Sequence, residues 1–173
     1  RCLGIVCVPG QCQGENFVAA PVKPNMMIVF DRSGSMNEQL NNNGGRKIDV
    51  AIDAITSLVT EHDDIRFGFA PFPDVGQTCD QGDSCQSGFI AVDVGDNNAQ
   101  NIIDFMGAMG DVGDCRGTPT GGEVHALDDD VALQDTTRPD FVILMTDGAA
   151  NCGDHPENEI GTLAGGQGGQ FPA

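Results

Sequence analysis

Pro24-Asn25-Met26-Met27-Ile28-Val29-Phe30-Asp31-Arg32-Ser33-Gly34-Ser35 is the stretch on which the fold turns. Met26 to Phe30 is an unbroken apolar run held between a proline and an aspartate. Its length suits a strand, and its lack of polar alternation suits a strand covered on both faces, as in a parallel sheet. The run then gives way at once to side chains bearing oxygen. In open α/β sheets ligands bind outside the carboxyl ends of strands, so this junction is also the first candidate site.

Working outward, Ile48, Ile52, Ile55 and Val59, with Ala51 and Leu58, recur at helical spacing and predict an amphipathic helix from about Lys47 to Thr60. Asp64 to Ala70 alternates like a strand that Pro71 and Pro73 should stop, and Phe89 to Val94 reads as the next strand. Cys79 and Cys85 lie between them and are expected to close a loop joining two adjacent antiparallel strands, although spacing alone leaves the connectivity open. Ile102, Ile103, Met106 and Met109 predict a helix within Asn97 to Met109, with the two methionines in the core. Val124, Leu127 and Val131 suggest a weaker one over Glu123 to Leu133, with Asp128-Asp129-Asp130 on its exposed side. Phe141-Val142-Ile143-Leu144-Met145 is the most apolar strand. This order implies the α/β class with a mostly parallel sheet.

No further strand is legible after Met145, and residues 161–173 are rich in glycine. A strand as apolar as 141–145 should be paired on both edges, because a bare apolar edge invites aggregation. Residues 1–24, with Cys2, Cys7 and Cys12, read as a stapled irregular arm, and residues 25–173 as the domain, expected to be incomplete after about residue 160.

Composition narrows the function. Lys and Arg number 8 against 26 Asp and Glu, a formal charge of −18, which argues against nucleic acid as a partner. No apolar run is long enough for a membrane helix, and the first residues lack a signal-peptide pattern. Seven cysteines without a Cys-x-x-Cys pair suit disulfides in an extracellular or cell-surface setting, and the odd number leaves at least one cysteine free, bonded to another chain or bonded to further sequence. His62, His125 and His155 show no ligand spacing and are expected on solvated faces. The loop with Asp74, Asp80 and Asp83, and Asp111 with Asp114, do not follow the EF-hand spacing.

Three segments place oxygen ligands at strand or helix ends: Asp31-Arg32-Ser33-Gly34-Ser35, Gly117-Thr118-Pro119-Thr120-Gly121, and Thr146-Asp147-Gly148. They contain no His or Cys, a set suited to a hard divalent cation, Mg²⁺ first, with Mn²⁺ or Ca²⁺ admissible. At these residues, over roughly residues 25 to 155, the chain resembles the von Willebrand factor type A family, whose metal-ion-dependent adhesion site combines Asp-x-Ser-x-Ser with a separate Thr and a separate Asp. The resemblance implies that Ser33 and Ser35 coordinate the cation through their hydroxyls, that Thr118 joins when a ligand is engaged, and that Asp31 and Asp147 act largely through water or hydrogen bonds. Neutral hydroxyls leave the cation's charge uncompensated, so a partner's carboxylate can complete the coordination. Gly34 is expected to let the backbone turn so that both hydroxyls face one point. Thr118 to Thr120 should open a helix whose free N–H groups add positive potential.

The resemblance implies a doubly wound, mostly parallel sheet flanked by helices; a complete domain of that family resembles six strands in the order 3-2-1-4-5-6, the third antiparallel at one edge, of which four are legible here. The resemblance also puts Cys115 and Cys152 on the metal face, which makes a Cys115–Cys152 disulfide the leading expectation. The function implied is an extracellular binding or adhesion module that grips an acidic residue of a protein partner, not an enzyme, since no nucleophile–base pair is present. The alternative is a structural subunit of an extracellular fibre or appendage, with neighbouring chains completing the sheet or joined by disulfides. Phosphoryl hydrolysis with Asp31 as nucleophile is disfavoured, because the position two residues on is Ser33 rather than a second carboxylate.

Overall fold

The computed structural model describes residues 21–41, 44–74, 85–109, 117–153 and 155–163. Its sheet is built from β1 (Asn25–Asp31), β2 (Arg66–Phe72), β3 (Val92–Gly95) and β4 (Asp140–Met145) in the order β3-β2-β1-β4. β1 pairs in parallel with β2 and β4, and β3 runs antiparallel at the edge of β2. This is the mostly parallel α/β sheet expected from the apolar runs. Its order reproduces the first four positions of the order 3-2-1-4-5-6.

Alternation along the two central strands divides the core. Ile28 and Phe30 of β1 and Phe67 and Phe69 of β2 pack on one face against Ile48, Ile55 and Val59 of α1 (Lys47–Glu61) and Ile102 and Met106 of α2 (Ala99–Ala108). Met27, Val29, Ala70 and Phe72 point to the other face, where Leu127, beyond α3 (Thr120–Ala126), meets them. β1 is therefore buried from both sides, as its unbroken apolar run requires.

Several boundaries differ from the sequence reading. β2 continues through Pro71 to Phe72, with Pro71 opposite Phe30. A residue without an N–H is tolerated there because the β2–β3 ladder involves only Phe67 and Phe69 and asks for no amide at position 71. The returning segment passes so close that a Cβ on Gly88 would lie 1.9 Å from the Pro71 carbonyl oxygen, which reserves the position for glycine. The expected helix over Glu123 to Leu133 stops at Ala126, and short 3-10 turns follow at Leu127–Asp129 and Ala132–Gln134. Asp130 lies between these turns and is buried, with one carboxylate oxygen accepting from the amides of Ala132 and Leu133, so it is not on an exposed helix face.

After β4 there is structure that periodicity missed, α4 (Pro156–Leu163). Pro156 at its first position and Glu157 and Glu159 in its first turn are helix-start signals in so short a segment. Among the described residues β4 has only β1 beside it, and Phe141, Val142 and Leu144 are exposed. No helix among the described residues is long and apolar enough to cross a membrane.

Cys85 bonds to Cys152, with their Cα atoms 5.4 Å apart. This corrects both expected pairings, Cys79–Cys85 and Cys115–Cys152. The segment entering β3 and the segment leaving β4 are brought together by the fold, a proximity that sequence spacing does not encode. Cys2, Cys7, Cys12, Cys79 and Cys115 lie outside the described residues.

Asn25, fully buried at the start of β1, ties the opposite end of the sheet together. Its amide donates to the Ala132 carbonyl and to Asp140, both at 2.8 Å, and its carbonyl accepts from Arg66 at 3.0 Å. Asn25→Ala strands several of these groups and is expected to cost about 2 kcal/mol, read as a lowered midpoint in urea with an unchanged slope.

Candidate functional site

The carboxyl ends of β1 and β4 lie side by side, so Asp31 and Asp147 emerge next to each other from strands distant in sequence. Asp31 is buried and its Oδ1 accepts from the Ser33 amide at 2.8 Å, which folds the chain back immediately after the strand. A 3-10 turn over Gly34–Asn37 follows and brings Ser33 Oγ within 3.1 Å of Ser35 Oγ. Gly34 opens this turn without positive φ, so the left-handed freedom of glycine is not what aligns the serines. Ser35 Oγ donates to Asp147 Oδ1 at 2.8 Å. The other oxygen of Asp31 accepts from Thr146 Oγ1 at 2.6 Å, closing a ring of side chains across the two strand ends.

Asp31, Ser33, Ser35 and Asp147 are therefore joined by one hydrogen-bond network. Thr118 is placed differently. It is buried just before α3, its amide donates to the Asn151 side chain at 2.7 Å, and Asn151 returns a backbone bond to its carbonyl at 3.4 Å. Among the described residues no hydrogen bond joins Thr118 to the other four.

The two carboxylates experience opposite environments. Burial raises the pKa of Asp31, opposed by the hydrogen bonds from Thr146 and Ser33 and reinforced by the nearby charge of Asp147. Partial burial pushes Asp147 the same way, but hydrogen bonds from Lys47 and Ser35 outweigh it and hold this carboxyl below its usual range. Lys47, the first residue of α1, reaches Asp147 Oδ2 at 2.5 Å and Glu38 at 2.8 Å. Those bonds, that to Asp147 foremost, keep the ammonium protonated to higher pH than usual.

Thr146 and Lys47 belong to the network and Asn151 holds Thr118, yet the sequence reading gave these three no role. Thr146 stood inside a recognised motif. The positions of Lys47 and Asn151 depend on loop geometry, and no local pattern announces them. Arg32, between Asp31 and Ser33, is buried; burial lowers its pKa and the charge of Asp74 opposes that. Away from the site, the ring of His125 stands 3.3 Å from Asp128 and 3.1 Å from Glu159, linking α3 to α4. His62 faces Asp64 and His155 faces Glu157.

The donor set fits a hard divalent cation. In an octahedron with metal–oxygen distances of about 2.1 Å, neighbouring oxygens stand about 3 Å apart. Ser33 Oγ and Ser35 Oγ, at 3.1 Å, match one such edge, and every side chain in the network except Lys47 presents oxygen.

No protein-family model matches the chain, and no curated protein matches it either. Among solved structures it is similar to an aerotolerance-related membrane protein from Bacteroides fragilis, at 17% identity and a TM-score of 0.62, over 82% of this chain and 62% of that one. It is also similar to proximal thread matrix protein 1 from the mussel byssus, at 19% identity and 0.60, over 85% of this chain and 36% of that one. The pilus adhesin SpaC from Lactobacillus rhamnosus GG matches at 20% identity and 0.55, over 76% of this chain and 16% of that one. The chain spans less than two thirds of each of these proteins. At such identities the likeness shows the fold: a mostly parallel α/β sheet flanked by helices.

Proposed function

We propose that the chain is an extracellular binding module that holds a divalent cation of the Mg²⁺ type at the end of β1 and uses it to grip a carboxylate of a protein partner. The observation that carries this reading is the pair of serine hydroxyls 3.1 Å apart, fixed by Asp31 on one side and Asp147 on the other. Ser33 and Ser35 would hold the cation directly, Asp31 and Asp147 would orient them and balance charge, and Thr118 would contribute from the α3 side. The cation would supply a positive charge with coordination positions open to a partner. The Cys85–Cys152 disulfide supports an oxidising compartment. Two of the similar structures, a byssus thread matrix protein and a pilus adhesin, support an extracellular role in adhesion or fibres. We assign binding rather than catalysis, because the serines' described partners are carboxylates and one another, with no imidazole to activate either.

Calorimetric titration of the full chain with Mg²⁺ tests the metal part directly. Ser33→Ala is expected to weaken binding about tenfold or more, the loss of one direct ligand and the hydrogen bond beside it. A matching EDTA-sensitive capture of Asp- or Glu-bearing peptides, lost in the same variant, tests the grip. Mg²⁺ affinity unchanged by Ser33→Ala would sink the reading.

A structural subunit of a fibre is the second reading, favoured by the exposed Phe141, Val142 and Leu144 on a strand with one described neighbour. Non-reducing electrophoresis and sizing discriminate: a monomer with every cysteine paired internally counts against it.

A further inference from the structure

At the end of the sheet opposite the serines, a cleft of about 630 Å³ opens between the start of β2, the β3 edge and the turn before β4. Its walls are aliphatic, from Ile90, Val94, Val131 and Ala132, and Val131 is 85% exposed at the rim. Four charged side chains also line it, and two are already committed. Arg66 pairs with Asp96 at 3.4 Å and donates to Asn25. Asp135 is held by Arg138 at 3.2 Å and by Thr137. Asp93 and Asp130 remain, and among the described residues neither has a cationic side chain within ion-pair distance.

Asp130 is the more telling of the two, being only 6% exposed. Its Oδ1 is used, accepting from the amides of Ala132 at 2.7 Å and Leu133 at 3.2 Å. Its Oδ2 is buried without any hydrogen-bond partner. A buried carboxylate oxygen left unpaired costs more than a typical hydrogen bond returns, so a lasting orphan calls for a donor from outside.

The geometry points to a lysine side chain of a partner polypeptide as the occupant, its four-carbon stem along the aliphatic walls and its ammonium between Asp130 Oδ2 and Asp93. Charge complementarity selects a cation, and the −18 charge of the chain attracts one from a distance. Calcium is disfavoured because it takes six to eight oxygens, and aliphatic walls supply none. Arginine is disfavoured because its planar fork seeks two oxygens of one carboxylate, whereas Asp130 has one free; a compact ammonium needs only that one. The site is separate from the serine network and does not depend on a metal there.

The test uses the full ¹⁵N-labelled chain titrated with Nα-acetyl-lysine methylamide, against the norleucine amide, which keeps the stem without the ammonium, and the arginine amide. Saturable amide shifts at Val94, Asp130, Ala132 and Leu133 are expected, with lysine bound about tenfold or more tighter than norleucine and tighter than arginine. Asp130→Asn keeps an oxygen for the two turn amides and should abolish the preference for lysine over norleucine while leaving distant resonances in place. Asp93→Asn, on the exposed side, should reduce it several-fold without any risk to the fold. Equal binding of lysine and norleucine, no saturable shift, or a preference that survives Asp130→Asn would overturn the proposal and leave water as the partner of Oδ2. Arginine binding as tightly as lysine would overturn the ammonium assignment.

Discussion

Replacing Cys85 and Cys152 together by serine is expected to lower the stability of the oxidised chain by about 4 kcal/mol, the loop-entropy cost for a ring of this length. The bond closes a ring with a sequence separation of 67, and without it the unfolded chain regains the freedom that the ring removes. Urea unfolding with and without reductant measures it: reductant should lower the parent's midpoint by more than it lowers the double variant's. A parent insensitive to reductant would show that the bond contributes nothing. Thr118 is a second reporter, because Asn151, next to Cys152, holds it. Loosening that segment should lower Mg²⁺ affinity more than it disturbs the far end of the sheet.

The second large effect is a pH dependence seated in Glu123. This side chain, on the buried face of α3, is fully enclosed, and no hydrogen bond of good geometry reaches either carboxyl oxygen. Burial pushes its pKa up from 4.5 to about 7, with the Gly88 amide offsetting only part of the cost. Below 4.5 the group is protonated in both folded and unfolded chains and contributes nothing. Between 4.5 and 7 the unfolded chain releases the proton while the folded chain retains it, so stability falls as pH rises. Above 7 the full cost, about 3 kcal/mol, is present. Glu123→Gln, neutral and nearly isosteric, is expected to be the more stable protein at pH 8 and to match the parent near pH 4. Parallel stability curves for the two proteins across this range would reject the assignment.

Legibility in the sequence follows a physical line. β1, α1 and α2 were readable because each must bury a contiguous face, and burial writes itself into apolar runs or a helical period; β4 was readable from its apolar run alone, although Phe141, Val142 and Leu144 are exposed among the described residues. The four residues of the serine network were readable because Asp-x-Ser-x-Ser places three of them within one turn, and Asp147 ends a strand that pairs with β1. α4 escaped because it is short and polar, so its signals lie in Pro156 and the first-turn acids rather than in a stripe. Asp130 and Glu123 escaped because carboxylates are usually solvated, and only the fold reveals a buried one. The disulfide escaped because which cysteines meet is decided by chain crossings, not by their separation.

That same crossing has a mechanical meaning. The Cys85–Cys152 bond encloses β3, α2, α3 and β4 in one covalent ring and leaves β1, α1 and β2 outside it. A force applied through the two ends of the chain travels across the bond and bypasses the ring. About 230 Å of contour, the enclosed residues at about 3.4 Å each, stays out of reach of that force until the sulfur bond is reduced. Under tension the lengthening comes first from β1 and its neighbours outside the ring, the part that carries Ser33 and Ser35, so the chain would surrender its serine pair before its full length.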